Sequence, residues 1–197
     1  MCCLFGFVDY AGSLSVKQRN RLIRELSIAA EARGTDATGI AYNTSRGLQV
    51  YKRPLAAHRL HLRIPAEARA VMGHTRMTTQ GSAKKNYNNH PFFGHVKEES
   101  FALAHNGVLW NDLELRHAKH LPRTKVQTDS YIAVQLLEQK KSLDFDSLRY
   151  MAEQVEGSFS FTVLDEQSAL WIVKGDSPLS IAYFPVSYTH LTLPTKA

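Results

Sequence analysis

The chain has 197 residues and a mass of 22.2 kDa, a length that lets one domain bury a sizeable apolar core without disulfides or metals. Its net charge is +6, but the 24 lysines and arginines are scattered among 18 acids, which disfavours a nucleic-acid-binding surface. No apolar run approaches the roughly 20 residues of a transmembrane helix, and the two cysteines are adjacent, which disfavours membrane proteins and disulfide-rich secreted proteins. The N-terminus also lacks the basic segment of a signal peptide, so we expect a cytoplasmic protein.

The first half of the chain predicts short strands around one helix. Residues 2–8 are an almost continuous apolar run and predict a buried strand. Ser15 and Gln18 predict a capping box that opens a helix, and Gly34 is a natural end for it. Further strands, separated by polar or Gly-, Pro- and Asn-containing segments, are expected at 39–42, 48–52, 70–75 and 101–105.

The second half predicts two helices followed by three strands. The helices begin near Thr128 and near Asp146, and the second ends at Gly157. The strands lie at 159–164, 171–174 and 179–184. Because the helices come in blocks between groups of strands, the order predicts an α+β protein. This order of elements suits two packed sheets covered outside by helices better than an alternating βαβ fold.

The last segment of the chain, residues 185–197, differs from the rest. It has no helical period, and Pro194 interrupts any strand within it. Its Thr-rich sequence is similar to a cloning or sequencing remnant. We therefore expect one domain over residues 1–184 and a weakly structured, non-native tail over residues 185–197.

The position of Cys2 is the strongest chemical feature of the sequence. Removal of Met1 would make Cys2 the first residue, and its freed α-amino group, with a pKa of about 7.7–8.0, could act as a base for the thiol of the same residue. The alternative is that Cys2 is a small buried hydrophobe, as a lone cysteine usually is.

A set of motifs in fixed order gives this position a family context. The opening Met-Cys-Cys-Leu-Phe-Gly resembles the Met-Cys-Gly-Ile-Phe-Gly start of class II glutamine amidotransferases. Five further segments resemble the family's motifs in the same order, namely 33–39, 73–81, 105–107, 128–130 and 156–161. The resemblance extends to about Phe184. It implies a four-layer αββα sandwich of two packed antiparallel sheets, the N-terminal-nucleophile hydrolase fold, and hydrolysis of glutamine.

The resemblance also implies roles for the nucleophile and its neighbours. Cys2 would attack the side-chain amide of glutamine, releasing ammonia and glutamate through a γ-glutamyl thioester. Asn106 and Gly107 would supply the two donors that stabilise the oxyanion, although this dipeptide between apolar runs is also a hairpin-turn signal. Arg33 would favour the thiolate through its positive charge.

Further residues would bind the amino-acid end of glutamine. The resemblance assigns the α-carboxylate to Arg76, whose planar fork suits it, and the α-ammonium to Asp129. Thr79 and the backbone around Gln80 would line the same end of the pocket. Taken singly, Arg76 could be a surface charge and Asp129 a helix N-terminal acid.

Several features limit or qualify the resemblance. Position 3 is Cys where the family usually has Gly, and Met77 replaces a large aromatic that some members carry. We expect no cofactor and no metal, since nucleotide-binding motifs are missing and the nine histidines lack a recognised zinc spacing. His90 is expected to brace the pocket and not to react.

The expected partners are glutamine and an ammonia-accepting synthase domain or subunit. The basic stretch from Lys52 to Arg63 and the side chain of Met77 are the first candidates for the surface that meets it. After Phe184 the family's closing strand and helix are missing, so the domain is expected to be C-terminally incomplete. The alternatives are a hydrolase of another γ-glutamyl or small amide, or an inactive truncated binding module.

Overall fold

The computed structural model describes residues 2–97, 99–184 and 188–192. These residues form ten strands and four α-helices. In chain order they are β1 (Cys3–Val8), α1 (Val16–Ala30), β2 (Ala37–Thr44), β3 (Gly47–Arg53), β4 (Ala70–Arg76), β5 (Phe92–Val96), β6 (Glu99–Leu109), α2 (Asp112–Ala118), α3 (Tyr131–Lys140), α4 (Phe145–Gln154), β7 (Gly157–Asp165), β8 (Leu170–Lys174), β9 (Ser180–Phe184) and β10 (Tyr188–Thr192).

The strands form two antiparallel sheets. The six-stranded sheet has the order β3-β2-β4-β1-β10-β9, and the four-stranded sheet has the order β5-β6-β7-β8. In the first sheet, β1 pairs with β4 so that Cys3 lies opposite Thr75. Arg76 at the end of β4 lies opposite Ala37 of β2. The starts of β1 and β2 therefore meet the end of β4, where three of the predicted motifs come together.

Alternating side chains divide the core into layers, because successive residues of a strand point to opposite faces. In β1, Phe5 and Phe7 join Ile23 of α1 in one buried cluster. Leu4, the residue before Phe5, belongs instead to the cluster that includes Ala102 of β6. The six-stranded sheet is thus covered by α1 on one face and by the second sheet on the other.

The four-stranded sheet repeats this arrangement on its own side. Phe101 and Leu103 of β6 pack in the cluster that holds Ile132 and Leu136 of α3, while Ala102 and Ala104 face the first sheet. The alanines are small, which allows close approach of the two sheets. The order of layers is α1, six-stranded sheet, four-stranded sheet and α3 with α4, which confirms the predicted αββα sandwich.

The predicted helices agree best with the structure where a capping residue precedes a run of apolar residues at helical spacing. Ser15 and Gln18 form the predicted capping box of α1, and α4 has a second box built on Asp144 and Ser147. Strand β5 and helix α2 were not predicted. Both are short, and neither carries an apolar pattern long enough to stand out in the sequence.

The predicted Asn106-Gly107 hairpin turn is wrong. Both residues lie inside β6, where they oppose Ser160 and Phe159 of β7. Gly107 has a φ of 147°, which other residues rarely adopt, and a Cβ there would collide with the carbonyl of Ser158. Glycine is therefore required by the close packing of two strands and not by a turn.

The expectation of an irregular segment after Pro185 is wrong for residues 188–192. They form β10, which pairs with β1 on one side and β9 on the other. Residues 185–187 and 193–197 lie outside the described residues. The domain boundary at residue 184 and the non-native origin of residues 185–197 remain predictions.

Candidate active site

Cys2 lies immediately before β1, and its thiol faces the end of β4. The Cys2 Sγ donates to the Met77 carbonyl at 3.5 Å. Burial raises the pKa of the Cys2 thiol, while the positive charge of Arg76 lowers it and the negative charge of Asp129 raises it. Two predicted substrate-binding groups are therefore close enough to the predicted nucleophile to act on its titration.

Cys3 has a different environment from its neighbour. Its side chain is buried in the cluster beneath α1, and burial raises the pKa of the Cys3 thiol to about 12, with Arg33 opposing the shift. Since the thiolate is the nucleophilic form, Cys3 is unreactive at neutral pH. The strand alternation therefore separates the two adjacent thiols into a site-facing one and a core-facing one.

Arg33 contacts Cys2 through the backbone. Its Nε donates to the Cys2 carbonyl at 3.1 Å, and the thiol on which its charge acts is that of Cys3. Gly34 follows in extended conformation, and a Cβ at this position would overlap the carbonyl group of Arg76. The Arg33 segment thus packs directly against both Cys2 and the end of β4.

Asp36 fixes the path of the chain after β4. Its backbone N–H donates to the Arg76 carbonyl at 2.9 Å, and its Oδ2 accepts the Thr78 N–H at 2.7 Å. Thr79, the next residue, is exposed. The predicted motif at 33–39 therefore orders the first turn of the segment that leads to Gln80.

The guanidinium of Arg76 is buried at the end of β4. Its side chain donates to three neutral oxygens: Nη1 to Asn89 Oδ1 at 2.7 Å, and Nη2 to the carbonyls of Gln80 at 2.5 Å and Gly81 at 3.1 Å. Burial lowers the pKa of Arg76, but arginine stays protonated in proteins. The residue is only 2% exposed, so the interpretation of Arg76 as a surface charge is wrong.

Asp129 lies just before α3 and is also buried. Its Oδ2 accepts the Leu109 N–H at 2.7 Å, which ties it to the end of β6. Its own N–H donates to Gln80 Oε1 at 3.0 Å. Gln80 therefore joins the two charged residues, because its backbone carbonyl accepts from Arg76 and its side chain accepts from Asp129.

Asn106 lies on β6, on the same side of the strand as Ala102 and Ala104 by alternation. It is 5% exposed, and its Oδ1 has no hydrogen-bond partner. The preceding carbonyl, that of His105, accepts from His74 Nε2 of β4 at 3.0 Å. This bond brings the Asn106-Gly107 stretch against the strand that ends in Arg76.

A layer of three buried histidines lies beneath this site. Sequence analysis expected His90 to brace the pocket but did not identify His74 or His105. His74 and His90 stack with ring centroids 4.2 Å apart, while His105 Nδ1 lies 2.7 Å from the hydroxyl of Ser130. Burial lowers the pKa of His74 to about 3 and of His105 to about 4, and that of His90 well below its usual value. All three are neutral at pH 7. Their positions beside the motifs at 73–81 and 105–107 were the only signal available in the sequence.

Lys52 departs from the prediction that it belongs to a partner-facing basic surface. Its ammonium points inward and donates to the carbonyls of Asn89 and Pro91. The prediction for Lys52 is therefore wrong, because a basic residue on a strand can face either side. Met77, by contrast, is 49% exposed.

The described residues contain no group of three histidine, cysteine, aspartate or glutamate side chains placed to hold a metal ion. Within the same part of the chain, none of the helices is long and apolar enough to cross a membrane.

The comparisons with known proteins agree with one another. A family model described as a glutamine amidotransferase domain matches residues 74–189, more than half of the chain. An isomerizing glutamine–fructose-6-phosphate aminotransferase from Bacillus licheniformis is 31% identical over 184 residues, which are 89% of this chain and 30% of that protein. The enzyme of the same name from Thermus thermophilus is 33% identical over 84% of this chain and 27% of that protein.

Solved structures give the same fold at lower sequence identity. An allosteric regulatory enzyme of purine biosynthesis superposes with a TM-score of 0.76 at 19% identity, covering 98% of this chain and 42% of that chain. Glutamine phosphoribosylpyrophosphate amidotransferase from Bacillus subtilis gives 0.69 at 20% identity, covering 97% of this chain and 41% of that one.

This chain spans about 30% of the length of the curated relatives that it matches. With a family model over more than half of its residues, the chain belongs to the class II glutamine amidotransferases, enzymes with a glutamine-hydrolysing domain.

Proposed function

We propose that this domain hydrolyses glutamine to glutamate and ammonia with Cys2 as the nucleophile. The observation that carries the proposal is the meeting of three groups at the end of β4. The Cys2 thiol donates to the carbonyl of Met77, the residue after Arg76, and both Arg76 and Asp129 donate to Gln80. The charges of Arg76 and Asp129 complement the α-carboxylate and α-ammonium of an amino acid. A thiol beside such a pair suits an amino-acid substrate that has a reactive side-chain carbonyl.

The first half of the reaction forms a thioester. The sulfur of Cys2 attacks the side-chain carbonyl carbon of glutamine, and the C–N bond of the amide breaks as nitrogen takes up a proton and leaves as ammonia. Because burial raises the pKa of the Cys2 thiol, a base is needed at neutral pH. The α-amino group of Cys2, freed by removal of Met1, has the required pKa.

The second half regenerates the enzyme. Water attacks the thioester carbon, the C–S bond breaks, the sulfur recovers a proton, and glutamate leaves. Both halves pass through an oxyanion, for which Asn106 and the Gly107 N–H are the proposed donors. The donor of the Asn106 side chain would be its Nδ2 amide. This side chain is 5% exposed and lies on β6 next to the strand that ends in Arg76.

Substrate binding is proposed to use Arg76 for the α-carboxylate and Asp129 for the α-ammonium, with Thr79 and Gln80 at the same end. The hydrogen bonds that Gln80 accepts from both charged residues support this arrangement, because they set the spacing of the two groups. Arg33 holds the Cys2 carbonyl and is proposed to position the N-terminal residue.

The ammonia is proposed to pass to a synthase domain or subunit. The relatives in which this domain occurs are about three times longer, which leaves room for such a unit in them. The exposed side chain of Met77 next to the Cys2 end is the proposed site of contact.

The test is release of ammonia and glutamate from glutamine by the mature chain, with intact mass measured to establish loss of Met1. A glutamine-mimicking diazoketone should add to Cys2 and leave Cys3 unmodified, because only Cys2 faces the site. Turnover of other γ-glutamyl amides but not of glutamine would show that the substrate assignment is wrong. Full activity with Met1 retained would show that the proposed base is wrong.

A further inference from the structure

We propose that Lys52 is a positioning residue for glutamine binding, holding the chain segment whose Asn89 side chain orients the guanidinium of Arg76. This inference rests on the proposed function of Arg76 as the carboxylate-binding group. Lys52 lies on β3, two strands away from the end of β4, and has no direct hydrogen bond to Arg76 among those described. Its effect is therefore indirect.

The ammonium of Lys52 joins two carbonyls of one short segment. Its Nζ donates to the Asn89 carbonyl at 2.5 Å and to the Pro91 carbonyl at 2.9 Å. The backbone carbonyl of Lys52 in turn accepts from Asn86 Nδ2 at 2.9 Å. Residue 52 thus makes three hydrogen bonds to the stretch 86–91, which has no strand partner at these positions in the described part of the chain.

The space for this contact comes from Gly39, which lies opposite Lys52 in the sheet. A Cβ at Gly39 would collide with the His90 carbonyl and would lie 2.8 Å from both Lys52 Cβ and Pro91 Cδ. The glycine of the motif at 33–39 therefore allows the 89–91 segment to cross over the sheet. Lysine is long enough to reach the carbonyls of that segment from the next strand.

Asn89 carries the effect from this segment to Arg76. Its Oδ1 accepts from Arg76 Nη1 at 2.7 Å, and its Nδ2 donates to the Ala83 carbonyl at 2.8 Å. Asn89 is fully buried, so its backbone position determines where the amide oxygen lies. Lys52 fixes that backbone position by binding the carbonyl of the same residue.

The charge of Lys52 is costly where it lies, which argues for a function beyond packing. The ammonium lies 5.1 Å from the centre of the Phe92 ring. Burial, with a smaller contribution from the positive charge of Arg76, lowers the pKa of Lys52 to about 8. An apolar side chain would avoid this repulsion but would leave two carbonyls without a donor. The arrangement keeps a second cation near Arg76, which also raises the attraction of the site for an anion.

The experiment compares Lys52→Met with Arg53→Met. Arg53 is the next residue of β3, is exposed, and stacks on Tyr51. Its Nη1 donates to the Lys52 carbonyl at 2.9 Å, so its substitution removes a charge from the same strand and leaves the bonds of the Lys52 ammonium to Asn89 and Pro91 in place. We expect Lys52→Met to raise the KM for glutamine about tenfold and to change kcat by less than about threefold. The substitution removes charged hydrogen bonds that support substrate binding and not the chemical step. Arg53→Met should leave both constants near the wild-type values.

A second substrate separates positioning from general damage. L-glutamine α-amide lacks the carboxylate that Arg76 binds, so Lys52→Met should lower kcat/KM for glutamine more than for the α-amide. Lys52→Arg, which keeps a cationic donor, should recover part of the preference. Equal losses on both substrates, or unchanged glutamine kinetics in Lys52→Met, would overturn the inference.

Two further results keep the test decisive. If Lys52→Met does not fold, Asn89→Ala tests the same connection. It should reduce the preference for glutamine over the α-amide, and an unchanged preference would overturn the inference. If the wild-type chain releases no ammonia from glutamine under any condition, the proposed function fails. If the wild-type chain is active and the Lys52 and Asn89 variants behave as the wild type does, the proposed function stands and the inference about Lys52 fails.

Discussion

The two ends of the candidate site are built differently. At one end, Arg76, Gln80 and Asp129 are joined to one another and to the surrounding backbone by hydrogen bonds, and both charged residues are buried. At the other end, Cys2 is half-buried, and its thiol makes a single long contact to the Met77 carbonyl. The first end is fixed before any ligand binds, and the second is left free to react.

This difference fits a division of labour between recognition and chemistry. Charged groups that bind a zwitterion must be held in place, because reorganising them during binding would cost affinity. A nucleophile instead needs room to move from the thiol to the thioester. The contrast predicts that substitutions at the Cys2 end reduce kcat, whereas substitutions at the Arg76 end raise KM.

The largest expected effect is that of Cys2→Ala. Removal of the sulfur leaves no nucleophile, so kcat for glutamine should fall by about 10⁴-fold or more, as when the nucleophile of a covalent mechanism is deleted. Cys3→Ala is the matched control, because the neighbouring thiol is buried and protonated. Ammonia release measured for both variants decides the assignment. Activity that survives in Cys2→Ala and is lost in Cys3→Ala would reverse it.

A smaller effect is expected for Asn106→Ala. Loss of one oxyanion donor typically costs on the order of 100-fold to 1,000-fold in kcat, and the KM for glutamine should change little. Because Asn106 lies inside β6 opposite Ser160, thermal unfolding of the variant should be measured alongside the kinetics. A change in KM alone would move Asn106 from the oxyanion to the recognition end.

Arg76→Lys should act on KM. Lysine keeps the positive charge but loses the planar fork, so a charged hydrogen bond worth about 1.5–3 kcal/mol is weakened, which corresponds to roughly 10-fold to 150-fold in KM. Asp129→Asn should act in the same direction, since it removes the charge that is proposed to face the α-ammonium. If both variants have wild-type KM values and reduced kcat values, the proposed division between the two ends does not hold.

Sequence reasoning predicted the layers of this fold because local patterns repeat across them. The capping box at Ser15 marks the start of α1, and the apolar run of residues 2–8 forms the buried strand β1. The apolar residues of α3 and α4 pack together in the core on the outer side of the four-stranded sheet. Asn106-Gly107 shows where local reasoning ends. The same dipeptide that signals a turn occupies a strand here, since its neighbours β4 and β7 contribute contacts that a local window does not contain.

The candidate site follows the same rule. Cys2, Arg76 and Asp129 could be named as candidates because each belongs to a recognisable motif. The roles of Lys52, His74 and His105 could not be predicted, because they depend on which strand faces which segment in three dimensions. For His90 the expectation was only that it braces the pocket, and its stacking on His74 was not predicted. Lys52 is one of many scattered basic residues in the sequence, and only the crossing of the 89–91 segment distinguishes it.

The smallest expected effect concerns the histidine layer that supports the recognition end. His74 and His105 have folded-state pKa values of about 3 and about 4, below the value of about 6.5 that an unfolded histidine has. Between these values the unfolded chain binds more protons than the folded one. The stability that the neutral histidines allow is therefore fully present above about pH 6.5 and falls as the pH drops toward 4, by about 1.4 kcal/mol per pH unit for each histidine.

Urea unfolding at about pH 7.5, 6 and 5 measures this slope, and carboxylates that titrate in the same range make a variant comparison necessary. His105→Asn should reduce the dependence of the unfolding free energy on pH by the contribution of one proton, about 1.4 kcal/mol per pH unit. This holds even if the variant is less stable at neutral pH because it loses the contact to Ser130. His117→Gln, at an exposed position of α2, should leave the slope unchanged. If the His105 variant has the wild-type slope, then His105 is not held neutral in the folded protein. The recognition end would then rest on a charged layer, and its hydrogen bonds would no longer explain why it is fixed before glutamine binds.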